Sequence, residues 1–209
     1  MPAPVVSRST ALLTHGPLTA RTAHLCVDMQ RMFLEDTPWH TPWMARVLPA
    51  VATLAAHRPS QTIFTRFLPP ESAADVHGGW RRYYTRWDEM TGARIDPRLL
   101  ALAPPLDELV PPATVWNKRV YSAFFDGTLA PELSRRHVDS LVVTGVETDV
   151  CVLATVLSAI DLGFRVVLVS DALGSASDTT HDALMTLYTE RYAEQLEVAQ
   201  TDTVLRCWL

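Results

Sequence analysis

Three residues far apart in the chain carry the chemistry this sequence could perform: Asp28, Lys118 and Cys151. Asp28 stands near the end of the apolar run HLCVDM (24–29). Lys118 ends TVWNK (114–118), and Cys151 closes GVETDVC (145–151), just beyond SLVVTGV (140–146). A carboxylate, an ammonium and a thiol are the parts needed for nucleophilic attack on a carbonyl. A helix start and a nearby lysine favour the thiolate, and the carboxylate can accept the thiol proton. Backbone N–H groups at the turn before the helix would hold an oxyanion. Each residue also has a plainer use. A cysteine in an apolar helix is commonly a small buried hydrophobe. An aspartate after a strand caps a helix or forms a turn, and a single lysine is ordinarily a surface group. Three such residues on strand ends are what turn the argument toward chemistry.

That argument needs elements that bring the three together. His24–Met29, Gln61–Phe67, Thr114–Lys118, Ser140–Val146, Arg165–Ser170 and Leu196–Ala199 have the length and apolar character of strands. Between them, the spacing predicts helices over Trp43–His57 with a restart at Pro49, Leu129–His137, Asp149–Leu162, and Thr179–Glu190 capped by Asp178. A short helix is expected over Pro97–Ala103. Alternating strands and helices imply a single three-layer α/β/α domain with a mostly parallel six-stranded sheet. Ligands bind beyond the carboxyl ends of such strands, where Asp28, Lys118 and Cys151 would lie. Residues 1–20 read as an irregular leader, and 68–97 as a lid-like excursion without a clear period.

The chain has 209 residues, which suits one domain with a core of its own. The net charge of −5 argues against a nucleic-acid partner, because phosphates call for a basic surface. No apolar run is long enough to span a membrane, and no signal peptide is visible. The three cysteines, Cys26, Cys151 and Cys207, are too few and too scattered for a disulfide framework. A cytoplasmic, reducing location is expected. Cys26 is expected in the core and Cys207 in the tail, with no role for either.

The segments VDMQ (27–30), NKRVYSAF (117–124) and VTGVETDVCVLAT (143–155) resemble the three signatures of the isochorismatase-like cysteine hydrolases. That superfamily includes isochorismatases, nicotinamidases, N-carbamoylsarcosine amidase, biuret hydrolase and ureidoacrylate amidohydrolases. The likeness extends from about Arg21 to about Val198 and includes LGFRVVLVSDA (162–172), where it implies a structural role for Asp171. It implies that Asp28, Lys118 and Cys151 are a catalytic triad. It also implies a cis peptide between Val146 and Glu147, with an oxyanion hole formed by the backbone N–H groups of Glu147 and Cys151. Glu147 stands where a small residue is commoner, so its side chain either points away or trims the pocket.

Departures from the resemblance narrow the reading. Metal-dependent nicotinamidases carry an Asp-x-His and a further His after the second strand. Here that stretch is Thr65-Arg66-Phe67, and His77 stands alone. No metal or other cofactor is expected, and nicotinamide becomes a less favoured substrate. Isochorismatases that cleave an enol ether usually lack the cysteine, so Cys151 favours hydrolysis of a C–N bond in a small amide, carbamoyl or ureido compound. Expected substrate contacts are Arg66, Trp80, Tyr84, Tyr121 and Phe124. Arg66 is either an anchor for a substrate oxygen or an exposed arginine. WRRYYTRW (80–87) either lines the lid or packs on the domain surface. Two rival functions stay open. One is ether hydrolysis with Asp28 as acid, and the other is a catalytically idle binding or assembly subunit. The apolar helix 149–162 and the resemblance together suggest a homo-oligomer, a dimer or a tetramer.

Overall fold

Six short runs rich in Val, Ile, Leu and Thr form the strands, and their pleats divide the apolar side chains between two faces. The structure, a computed structural model, describes residues 12–209; of the expected leader, residues 1–11 fall outside this range. The strands are β1 (Thr22–Val27), β2 (Thr62–Phe67), β3 (Thr114–Lys118), β4 (Ser140–Val146), β5 (Arg165–Gly174) and β6 (Leu196–Ala199). They make one sheet in the order β3-β2-β1-β4-β5-β6, and every neighbouring pair is parallel.

The helices are α1 (Arg31–Leu34), α2 (Met44–His57), α3 (Gly78–Arg86), α4 (Leu129–Arg135), α5 (Leu153–Asp161), α6 (Asp178–Arg191) and α7 (Thr201–Cys207). Alternation along the strands sets the layers. Cys26, Phe64, Val142 and Val167 pack with α2 and α7 on one face. Their chain neighbours Leu25, Ile63, Leu141 and Val166 pack with α4, α5 and α6 on the other. The three-layer architecture expected from the sequence is present, with a wholly parallel sheet.

Chain order reverses between β1 and β4, which makes their carboxyl ends the natural crevice. The two strands also approach very closely there. Gly145 has φ 112°, and a Cβ on it would lie 2.1 Å from the Val27 carbonyl oxygen. No other residue fits that position without moving β1 away from β4.

Several local expectations change. Pro49 does not restart α2, which runs unbroken through it. The proline is solvent-exposed in the second turn, and burial of Val47, Val51, Leu54 and Ala55 on the sheet side holds the helix together. The helix expected over 149–162 opens instead as a π-type turn, Thr148–Val152, in which the Val152 N–H bonds the Glu147 carbonyl. Ser177, not Asp178, caps α6, its hydroxyl accepting from the Thr180 N–H. The excursion over 68–97 contains α3, whose single buried residue, Tyr84, gave no apolar period to read. The short helix expected over 97–103 is a 3-10 turn at Pro97–Leu100. The short, largely polar α7 also escaped the pattern, although Asp171 marks its start by accepting from the Thr201 N–H and hydroxyl.

Candidate active site

Asp28 leaves β1 with φ 51°, a left-handed conformation that aims its carboxylate at the end of β2. There Thr65 grips it twice. The Thr65 hydroxyl accepts from the Asp28 N–H at 3.1 Å and donates to Oδ1 at 2.6 Å. Gln30 locks the same two strand ends. Its Nε2 donates to the carbonyls of Phe67 and Leu100, and its Oε1 accepts from the Phe67 N–H. Asp28 Oδ1 is thus engaged. Among the described residues, Oδ2 has no aligned hydrogen bond beyond its ion pair with Lys118 Nζ, 2.6 Å away.

Lys118 is the last residue of β3, two strands from β1. Nζ lies 4.9 Å from the Phe67 ring centroid and donates to the Val120 carbonyl at 3.1 Å. Burial disfavours the ammonium, but Asp28 and Cys151 outweigh it and the Lys118 pKa rises. Cys151 lies in the π-type turn after β4, buried, and interacts with both Asp28 and Lys118. Burial pushes the Cys151 thiol well up, Lys118 draws it partly back, and Asp28 adds to the rise. Loss of solvation thus opposes the thiolate that a helix start and a nearby lysine favour.

Cys151 forms part of the wall of a cavity of about 310 Å³. Phe33, Trp39, Phe67, Tyr83, Trp87 and Tyr121 supply its aromatic walls, and Pro38, His40, Glu147, Val150 and Ala176 complete it. The Val146–Glu147 peptide is cis, where the resemblance puts one. The Glu147 side chain turns into the cavity. Its Oε1 accepts from the Ala176 N–H at 3.2 Å and the Thr41 hydroxyl at 3.4 Å, and burial raises its pKa. The turn beneath is braced from behind. The Thr148 hydroxyl bonds the Gly174 carbonyl and His181 Nδ1, while Ser175 and Thr180 donate to the Asp149 carboxylate.

Of the residues expected to touch substrate, Tyr121 lines the cavity and four do not. Arg66 falls between Thr65 and Phe67, both turned to the site, so the pleat sends it the other way, where its Nε bonds Asn117 Oδ1. Trp80 and Tyr84 stack on each other behind the wall, against Phe67, Tyr83 and Tyr121. Phe124 is buried against Phe164 in the layer of α4 and α5. Sequence reasoning missed Trp39, Tyr83, Trp87 and Thr65. The run TPWHTPW (37–43) had an aromatic content that could have flagged Trp39, and WRRYYTRW did flag its neighbourhood but on the wrong rings. Among the described residues, no three His, Cys, Asp or Glu side chains gather as a metal-holding group, and no helix is long and apolar enough to cross a membrane.

Comparison with known proteins agrees with this architecture. The family described as Isochorismatase domain matches residues 22–200. Maleamate amidohydrolase of Pseudomonas putida is 31% identical over 170 residues, covering 78% of this chain and 76% of that protein. A cysteine hydrolase of Pseudomonas syringae pv. phaseolicola superposes with a TM-score of 0.76 at 28% identity, over 95% of this chain and 97% of that one. N-carbamoylsarcosine amidase of Thermoplasma acidophilum shares the fold at a TM-score of 0.69 and 19% identity, over 87% and 96%. With most of its length matched and the fold shared, the chain belongs to the isochorismatase family of hydrolases.

Proposed function

We propose that the protein is a metal-independent cysteine amidohydrolase that cleaves a C–N bond in a small amide, carbamoyl or ureido compound through a thioester on Cys151. The observation that carries this reading is the buried Lys118–Asp28 ion pair beside the Cys151 thiol at an aromatic-walled cavity. The relatives named above as maleamate amidohydrolase and N-carbamoylsarcosine amidase support an amide-type substrate.

In the proposed sequence, Asp28 Oδ2 takes the thiol proton while the Lys118 ammonium holds the developing thiolate. The sulfur attacks the substrate carbonyl carbon, and the carbonyl electron pair moves onto oxygen. The backbone N–H groups of Glu147 and Cys151 are the oxyanion donors in this reading. The C–N bond then breaks, and Asp28 gives its proton to the departing nitrogen, which leaves as ammonia or an amine. Asp28, again a carboxylate, takes a proton from water as the water attacks the thioester. Collapse of the second oxyanion breaks the C–S bond, and the proton returns to sulfur. Thr65 keeps Asp28 Oδ1 occupied, so Oδ2, paired with Lys118 Nζ, is the oxygen that moves these protons.

The test is a screen of primary amides, carbamoyl and ureido compounds for ammonia release, with intact-protein mass spectrometry of the quenched enzyme. The expected result is ammonia release together with an acyl adduct on the peptide bearing Cys151. Release of pyruvate from an enol ether, without an adduct, would support ether hydrolysis instead. No turnover of any substrate and no adduct would support an idle homologue.

A further inference from the structure

The cavity also carries information about the far end of the substrate. Its lining includes one carboxylate, Glu147, and the imidazole of exposed His40, but neither arginine nor lysine. The one lysine at the site, Lys118, is committed to Asp28 and the Val120 carbonyl. Arg66 turns away to Asn117, and Arg86 lies 4.9 Å over the Trp87 ring without joining the lining. An anionic substituent entering this space would meet a carboxylate and aromatic faces and find no counter-ion.

Glu147 is arranged to receive a donor. Oε1 is held by the Ala176 N–H and the Thr41 hydroxyl, which fixes the carboxyl in place. Among the described residues, no donor reaches Oε2, and Glu147 is part of the cavity lining. Tyr83 and Tyr121 line the same cavity as Glu147 and Cys151, so these rings share its space with the carboxyl and the sulfur. Trp39 packs against Tyr83 with centroids 5.8 Å apart and extends the same wall. Aromatic faces around a fixed carboxylate are the setting in which an organic cation gains both charge pairing and attraction to ring quadrupoles.

Resting on the amidohydrolase reading, we propose that Glu147 is a specificity-determining residue and that the cavity selects amides carrying a cationic group at the end away from the scissile bond. The amide carbon sits at Cys151 Sγ, and the cation sits at Glu147 Oε2 between Tyr83, Tyr121 and Trp39. Amides with a carboxylate at that end are disfavoured. The volume of about 310 Å³, at the low end for small-molecule sites, restricts the substrate to about one ring or a short chain beyond the amide.

The experiment uses three benzamides of matched size: 3-(aminomethyl)benzamide, 3-(hydroxymethyl)benzamide and 3-carbamoylbenzoate. Their dissociation constants are measured by calorimetry on the full-length Cys151→Ala protein, alone and with Glu147→Gln or Glu147→Asp. The expected order is cation tightest, neutral about tenfold weaker and anion weaker again. Glu147→Gln should bring the cation-to-neutral ratio close to one, and Glu147→Asp should keep part of it. Equal or tighter binding of the anion, an unchanged ratio in Glu147→Gln, or no binding of any of the three would overturn the proposal. Ammonia release by the wild-type enzyme from the same compounds is the separate reading on the reaction. The binding order without turnover would sink the amidohydrolase reading but leave the selectivity standing. Turnover of all three at similar kcat/KM would do the reverse.

Discussion

Lys118 Nζ lies 2.6 Å from Asp28 Oδ2, and the two side chains, from strands that are not neighbours, are 3% and 0% exposed. Two ions so far from water are retained only if they hold each other. The pair therefore has a structural consequence as well as a chemical one. Replacing Lys118 by Met leaves a carboxylate buried without a cation, and a loss of about 3–5 kcal/mol is expected. Urea unfolding of Lys118→Met, and of the double variant with Asp28→Asn, provides the check. The double variant should recover much of the loss, and two additive losses would mean that the pair is not coupled.

Cys151 is expected to be indispensable for turnover. Cys151→Ala and Cys151→Ser should lose at least about 10⁴-fold in kcat, because removing a nucleophile removes the covalent route altogether. Substrate binding should persist in both. Hydrolysis at the wild-type rate in either variant would exclude a thioester.

Thr65 has the geometry of a positioning residue for Asp28. In Thr65→Val the Asp28 N–H and Oδ1 both lose their partner inside a buried site, which costs about 1–3 kcal/mol of stability. A carboxylate free to swing should also lower kcat by about 10–100-fold with little change in KM. Thr65→Ser keeps the hydroxyl and should restore kcat. If Ser and Val behave alike, packing rather than the two hydrogen bonds is what matters at this position.

Gly145 joins β1 to β4 at the edge of the site. Gly145→Ala places a methyl 2.1 Å from the Val27 carbonyl at φ 112°, and a destabilisation above about 4 kcal/mol is expected. Thermal and urea unfolding measure it. A near-neutral substitution would show that the strands can part at this point without penalty.

His24 gives the fold an acid-sensitive contact in the middle of β1. Its ring reaches the hydroxyls of Thr144 and Thr62, and burial pulls its pKa from 6.5 to about 3. Between those values the unfolded chain binds a proton that the folded chain does not. Stability from this group therefore rises with pH across that window and falls on acidification, by at most about 1.4 kcal/mol per pH unit. The stability difference between wild type and His24→Gln, measured in urea at pH 7 and pH 5, should favour the wild type more at pH 7. An identical difference at both values would mean that His24 is not held neutral.

The chain's local patterns already contained most of the architecture. The six apolar runs are the six strands, and the rule that ligands lie beyond parallel strand ends singled out Asp28, Lys118 and Cys151, whose side chains the structure brings together. Strand periodicity and strand ends are properties of neighbouring residues, so they can be read without knowing the fold. Folding decided the rest. Arg66 and Phe67 are adjacent, yet one leaves the site and the other lines it, because the pleat and the twist at the end of β2 set which way each points. Trp80 and Tyr83 lie one turn apart in α3, but the packing of that helix on Phe67 and Trp39 sends Tyr83 to the cavity and Trp80 behind it. The upward shift of the Cys151 thiol and the place of Glu147 in the cavity lining depend on segments remote in the chain, which only the assembled structure brings together.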